Sequence, residues 1–293
     1  MRIFLTGAAG FIGSYLLQRL LLRQEVERVY CLCRRSTVPC SEKTEVIRGR
    51  LADLAGIKAE ADILVHCAGL QNNYGGRKEE VYEKNMLGMR QVIAFCRLNG
   101  IKRIVFFSSI NACLQNRSYY SESKREAEEL LRQSGLEYSI IRPALVFGRE
   151  CTGLNYIVDY IKKHYFIPVI GDGEKLEQPV YVEELAYIAE QMILHFQPGR
   201  TEKVCGMKAM SYNEMLHEIA GVLGRRIKLV HLPIGPFLLV SRLADRLGLP
   251  FPVSEEQIYH LNEDLAADMS EIYEEMDFTP ESFAANLRKY AGV

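Results

Sequence analysis

The 293-residue chain lacks several features that would assign it to a specialised class of protein. It has no Trp, its 36 basic and 37 acidic residues nearly cancel, and its most apolar stretch, 232–240, is short and contains two prolines. The balanced charge gives no support for a nucleic-acid partner, and the stretch is too short to span a bilayer. We therefore expect a small-molecule substrate as partner, no nucleic acid and no membrane anchor.

An apolar helix is expected over Pro236–Leu247, which overlaps this stretch. Its basic residues are few, with only Arg242 and Arg246. Packing over a substrate cleft is therefore favoured over contact with a membrane surface.

The eight cysteines contain no C-x-x-C pair, and the six histidines are scattered along the chain. This usage is typical of reduced core thiols, so we predict a cytoplasmic protein without a metal site. His66 ends an apolar run and is predicted to be a core residue. Because the first apolar residues lead directly into a glycine-rich turn, we expect no signal peptide.

Apolar segments of strand length alternate with helical patterns up to Arg142-Pro143. This alternation predicts an α/β fold, a Rossmann-type doubly wound parallel sheet with helices on both faces. We expect residues 1–150 to form the dinucleotide-binding domain, with 178–196 returning to it, and 151–293 to form a smaller, mainly helical substrate lobe.

The segment TGAAGFIG, residues 6–13, follows the first predicted strand and begins a helix. Glycines without a β-carbon let the backbone approach a ligand closely, and the positive end of a helix favours a phosphate. We therefore predict that a dinucleotide pyrophosphate is bound by Gly7, Gly10, Phe11, Ile12 and Gly13.

The second predicted strand ends at Arg34 and Arg35, where an NAD-binding unit usually places Asp or Glu. Guanidinium groups match the oxygens of a 2′-phosphate, so these residues favour NADP, as NADPH, over NADH. The alternative is that both arginines belong to a solvated basic loop.

Tyr120 and Lys124 are four residues apart on a predicted helix, and Ser109 ends the strand before it. A Tyr and a Lys at this spacing share one helical face, and the ammonium is expected to lower the pKa of the phenol. Tyr120 could then exchange a proton with an alcohol or carbonyl while Ser109 holds the same oxygen and hydride moves to or from a nicotinamide. The consecutive pair Glu128-Glu129 on the same helix is predicted to be solvated.

Several ordered motifs together resemble the extended short-chain dehydrogenase/reductase superfamily, of the NAD(P)-dependent epimerase/dehydratase type, over residues 1 to about 185. They are TGAAGFIG at 6–13, DILVHCAG at 62–69, NMLG at 85–88, IKRIVFFSS at 101–109, Tyr120-x-x-x-Lys124 and IRPALVFG at 141–148. The C-terminal part is more loosely similar to atypical members, including relatives of the dehydrogenase-like accessory subunit of respiratory complex I.

The resemblance implies that Tyr120 is the acid/base, that Lys124 is its partner and a ribose ligand, and that Ser109 polarises the substrate. It further implies a homodimer formed through the helices near 79–98 and 118–133. It also implies cofactor-binding roles for Ala68 and Gly69, whose backbone lets the cofactor's ribose pass closely, and for Asn85, which supports the loop nearby. The chain departs from the family pattern between Ser109 and Tyr120, where only ten residues intervene and Asn111–Leu114 replace the usual Tyr-Gly.

Two functions follow from these observations. The first is an NADP(H)-dependent oxidoreductase or epimerase/dehydratase-like enzyme that acts on a secondary alcohol or carbonyl. The second is a non-catalytic dinucleotide-binding protein with a regulatory or assembly role. A nucleotide sugar, an isoprenoid or steroid-like alcohol and a small aldehyde are all compatible with the first.

Overall fold

A seven-stranded parallel sheet forms the centre of the molecule, in a computed structural model that describes residues 1–35, 38–71, 78–115, 118–236, 239 and 263–291. The strands are β1 (Arg2–Thr6), β2 (Arg28–Cys33), β3 (Thr44–Arg48), β4 (Ile63–His66), β5 (Arg103–Phe107), β6 (Glu137–Pro143) and β11 (Thr201–Val204). Their order in the sheet is β11-β6-β5-β4-β1-β2-β3, which confirms the predicted doubly wound Rossmann-type sheet.

Both faces of this sheet are covered by helices, because its central strands are apolar on both sides. Ile3 and Leu5 of β1 point into a core shared with α1 (Phe11–Leu22) and α5 (Val182–Leu194). Phe4, between them, faces the opposite core, which α2 (Lys78–Asn99) and α3 (Tyr119–Arg132) complete. The alternation of side chains along a strand thus divides the core into two layers.

A smaller lobe with its own apolar core follows β6. Its parallel pair β8–β13 packs beside helices, and short strands line its junction with the sheet. The elements are β7 (Val146–Phe147), α4 (Thr152–Lys163), β8 (Phe166–Ile170), β9 (Leu176–Glu177), β10 (Val180–Tyr181), β12 (Met210–Ser211), α6 (Tyr212–Val222), β13 (Lys228–Leu232) and α8 (Phe283–Arg288). The short helix α7 (Ser270–Glu275) instead packs Ile272 into the core of the central sheet.

The helix predicted over Pro236–Leu247 lies almost entirely outside the described residues. Within the described part of the chain, no helix has both the length and the apolar character that crossing a bilayer requires. The domain boundaries inferred from the sequence stay a prediction.

Candidate functional site

The turn between β1 and α1 packs backbone against backbone. Gly7 has φ +76°, and the amide of Gly10 donates a hydrogen bond of 2.9 Å to the carbonyl oxygen of Gly7. A β-carbon on Gly13 would lie 2.1 Å from that oxygen, and one on Gly7 would lie 2.7 Å from the amide nitrogen of Ala68. Only glycine fits at these two positions. The first turn of α1 has no acidic residue and no side-chain cap, so its backbone amides are suited to binding a negatively charged group. This cradle fits the pyrophosphate of a dinucleotide.

Asn85 on α2 fixes the loop that follows β4. Its Oδ1 accepts from the amide of Leu70 at 2.9 Å, while its Nδ2 donates to the carbonyl of Leu70 at 3.1 Å and to Ser123 Oγ at 3.0 Å. A β-carbon on Gly69 would lie 3.2 Å from Lys124 Nζ. The structure thus brings the loop at Ala68 and Gly69 against the helix that carries Lys124.

Ser109, Tyr120 and Lys124 lie together at the carboxyl ends of the strands. The phenol of Tyr120 is hydrogen-bonded with Ser109 and Gln71. Lys124 Nζ donates to the carbonyl oxygen of Phe107 at 2.8 Å and lies 5.9 Å from the centroid of the Tyr120 ring. A phenol, a hydroxyl and a buried ammonium therefore lie near one another at this edge of the sheet.

Burial dominates the electrostatics of this group. It lowers the pKa of Lys124 to about 8, against the opposing effects of Cys67 and the Glu128 carboxylate. Burial also raises the pKa of Tyr120, and the hydrogen bonds with Gln71 and Ser109 only partly oppose this. The prediction that the pKa of the phenol lies below its usual value is therefore wrong for this structure, because desolvation of a phenolate outweighs the hydrogen bonds that would stabilise it.

The short interval before Tyr120 contains a one-turn 3-10 helix, Ile110–Cys113. Ser109 caps it, and its Oγ accepts a hydrogen bond of 3.2 Å from the amide of Asn111. The departure from the family pattern thus holds the serine hydroxyl by a local contact at the end of β5.

Glu128 is fully buried, so the prediction that it is solvated is wrong. It accepts hydrogen bonds from Ser108 Oγ at 2.6 Å, from Arg142 at 2.9 and 2.5 Å, and from Arg132 at 2.8 Å. Burial alone would raise its pKa, but the hydrogen bonds from Arg142 and Ser108 hold the pKa below its usual value. Its neighbour Glu129 is 54% exposed, as predicted.

This buried cluster fastens the face of α3 that carries Lys124 to the ends of β5 and β6. The sequence contains a partial signal, since Lys124, Glu128 and Arg132 recur at intervals of four on one helical face. The partners from β5 and β6 are visible only in three dimensions.

Arg34 and Arg35 are exposed immediately after β2. Arg48, which the sequence analysis missed, ends β3 directly opposite Cys33 of β2. The register of two parallel strands therefore places a third guanidinium-bearing residue at this edge of the sheet. Three arginines at one sheet edge fit a phosphate group.

His66 is a core residue, as predicted. It is 3% exposed, and its Nδ1 forms a hydrogen bond of 2.7 Å with Thr6 Oγ1. Burial lowers its pKa to about 3, with a smaller contribution from Lys124. The imidazole is therefore neutral and connects the ends of β1 and β4.

Residues 3–205 match the sequence profile of the NAD dependent epimerase/dehydratase family. The chain belongs to this family. It is therefore of the NAD(P)-dependent epimerase/dehydratase type, and the predicted resemblance is confirmed.

This chain is 24% identical to the mitochondrial NADH dehydrogenase [ubiquinone] 1 alpha subcomplex subunit 9 of Arabidopsis thaliana, over 94% of this chain and 73% of that protein. It is also 24% identical to the N-acetyl-alpha-D-glucosaminyl-diphospho-ditrans,octacis-undecaprenol 4-epimerase of Escherichia coli O157:H7, over 79% of this chain and 75% of that enzyme.

A solved structure shares the fold of the epimerase/dehydratase chain. The UDP-glucuronic acid 4-epimerase of Bacillus cereus, in complex with UDP-glucuronic acid and NAD, superposes with a TM-score of 0.77 at 17% identity. The match covers 100% of this chain and 98% of that one. Rossmann architecture is therefore common to both.

Proposed function

We propose that the protein is an NADP(H)-dependent oxidoreductase or epimerase that acts on a secondary alcohol or carbonyl through Ser109, Tyr120 and Lys124. The observation that carries this proposal is the placement of a buried Lys124 between the Gly69 loop and the ring of Tyr120, whose phenol is hydrogen-bonded with Ser109. A buried ammonium beside a phenol is an arrangement suited to proton transfer.

The dinucleotide would be held along the carboxyl edge of the sheet. The glycine turn would bind the pyrophosphate through Gly7, Gly10, Phe11, Ile12 and Gly13. Arg34 and Arg35 would contact the 2′-phosphate, with Arg48 beside them, and the nicotinamide ribose would pass Ala68, Gly69 and Asn85 to reach Lys124. When bound, NADP(H) supplies or accepts the hydride.

The protein's own residues would handle the proton. Because burial raises the pKa of Tyr120, the phenol is protonated at neutral pH and can donate its proton to the oxygen of a carbonyl substrate. Ser109 would hold the same oxygen by a hydrogen bond, and the positive charge of Lys124 would stabilise the phenolate that remains. In the direction of alcohol oxidation, the same groups would act in reverse order.

A secondary-alcohol substrate is consistent with the relative from Escherichia coli O157:H7, which is a 4-epimerase. A non-catalytic role is the second candidate, because the chain is similar over 94% of its length to a subunit of NADH dehydrogenase. The homodimer through α2 and α3 stays a prediction, and sedimentation velocity would measure it.

The first test is a parallel titration of the purified chain with NADPH and NADH, followed by nicotinamide fluorescence. We expect tighter binding of NADPH, and a loss of about tenfold or more in NADPH affinity for Arg34→Ala, since a charge-assisted hydrogen bond contributes about 1.5–3 kcal/mol. Arg90→Ala, which removes an exposed arginine of α2, is the matched control and should bind like the wild type. Equal affinity for the two cofactors would contradict the NADP preference.

The second test concerns catalysis. A screen of carbonyl substrates with NADPH should find turnover that Tyr120→Phe reduces by about 100-fold or more, while NADPH binding persists. Full turnover in Tyr120→Phe would refute the acid/base role. Binding of NADPH without turnover of any substrate class would favour the non-catalytic candidate.

A further inference from the structure

Aromatic side chains form a strip where α4 of the substrate lobe leads into β8. Tyr156 and Tyr160 are four residues apart on α4 with ring centroids 6.5 Å apart, and the strip continues through His164 to Tyr165 and Phe166. Tyr156 is 68% exposed, Tyr165 53% and Phe166 57%. Single exposed aromatic residues are ordinary, but a contiguous set indicates a contact surface.

Basic residues surround this strip. Lys162 and Lys163 end α4, and Arg225, Arg226 and Lys228 come from the turn and strand start beside it. The two segments are adjacent, because Lys228 pairs with Phe166 in the β8–β13 ladder and its amide donates to the carbonyl of Tyr165 at 2.8 Å. All five basic residues are exposed.

The local charge differs from that of the whole protein. Residues 156–166 and 225–228 contain five Lys or Arg and one carboxylate, Asp159, whereas the complete chain has a net charge of −1. Asp159 lies 3.7 Å from Lys162 and compensates for only one of the five. The aromatic-basic surface, made of these aromatic and basic residues, therefore carries an excess of positive charge.

We propose that the aromatic-basic surface binds the anionic headgroups of a phospholipid bilayer as a peripheral contact. Tyr and Phe side chains are suited to the headgroup level of a membrane, and neighbouring Lys and Arg side chains are attracted to anionic lipid. Aromatic and basic residues meet where β8 and β13 begin, because Phe166 and Lys228 are the first pair of this ladder. Leu232 lies at the opposite end of β13. This contact involves the surface only and needs no membrane-spanning segment.

The experiment is co-sedimentation of the full chain with phosphatidylcholine vesicles, with and without phosphatidylglycerol. We expect binding only to the vesicles that contain phosphatidylglycerol, and release at high salt because exposed charges are screened. Lys162→Glu/Lys163→Glu should weaken this binding by about tenfold or more. Tyr165→Thr/Phe166→Thr, which keeps β-forming residues, should weaken it independently.

Two matched controls separate the patch from general effects. Lys58→Glu/Lys102→Glu makes the same charge change at exposed lysines of the Rossmann domain, and Leu22→Ser removes an 83% exposed apolar residue from α1. Both should bind vesicles like the wild type. Absence of binding, equal binding to neutral vesicles, or binding that the patch variants leave unchanged would each overturn the proposal. NADPH titration of the same variants, which should be unaffected, keeps this result separate from the proposed function.

Discussion

Replacing Glu128 by Gln tests whether the buried carboxylate holds α3 in place. The substitution removes the charge of a fully buried group that accepts hydrogen bonds from Ser108, Arg132 and Arg142. It also replaces one acceptor oxygen by an amide N–H₂ group, which cannot accept a hydrogen bond from these donors. Removing one partner of a buried ion pair costs about 3–5 kcal/mol. The side chains of Arg132 and Arg142 are 32% and 20% exposed, so their guanidinium groups can regain contact with water. We therefore expect the free energy of unfolding to fall by about 3 kcal/mol, the lower end of this range.

Urea unfolding at pH 7, followed by circular dichroism, measures this loss as a fall of about 1 M in the midpoint with an unchanged slope. Glu129→Gln is the matched control, because the adjacent carboxylate is 54% exposed and its loss should cost less than about 1 kcal/mol. Similar losses in the two variants, or a loss under about 1 kcal/mol for Glu128→Gln, would refute the reasoning.

The same pair of proteins gives a pH test with a definite sign. Because the pKa of Glu128 is lower in the folded protein than in the unfolded chain, its stabilisation is present above the unfolded value and is lost as the pH falls through the folded value. The difference in unfolding free energy between the wild type and Glu128→Gln should therefore shrink below about pH 4. A difference that stays constant into this acidic range would mean that the charge contributes nothing.

Three further outcomes follow from the site. Gly13→Ala places a β-carbon 2.1 Å from a backbone oxygen of the same turn, so the affinity for NADPH and the melting temperature should both fall. Gly56→Ala is the control, because a β-carbon there meets no atom within 4 Å and should change neither quantity. Since the pKa of Lys124 is about 8, a ribose contact through its ammonium predicts NADPH affinity that decreases as the pH rises through that value, and a flat profile would contradict the contact. His66, with a pKa of about 3, stays neutral in the native state while the unfolded chain binds a proton below about pH 6.5. The free energy of unfolding should therefore decrease by about 1.4 kcal/mol for each unit by which the pH falls from about 6.5 toward 3. His66→Asn should remove this slope, whereas His195→Asn, at an exposed position, should not.

The sheet could be predicted from sequence because its signals are local. Apolar runs and the glycine turn at 6–13 depend on residues that are close along the chain. The meeting of Ser109 with Tyr120 and Lys124 also follows from a general rule, since functional groups gather at the carboxyl ends of parallel strands. Their catalytic roles stay proposals.

Other features could not be predicted because they depend on contacts between distant segments. Glu128 and Glu129 are equivalent as sequence, and only the approach of Ser108 and Arg142 makes the first of them a buried anchor. The place of Arg48 depends on the register of β2 and β3. The direction of the Tyr120 pKa shift depends on how fully the phenol is desolvated, which a spacing of four residues does not determine.

The pairing of β11 with β6 has a consequence for how the chain is made. Thr201 pairs with Ile140, so the edge of β6 has no partner until the ribosome has delivered all of α4, β8 and α5. An open strand edge invites pairing with other chains, and contacts between distant segments form slowly. The nascent protein is therefore exposed to aggregation through this edge while the segment between β6 and β11 is being synthesised.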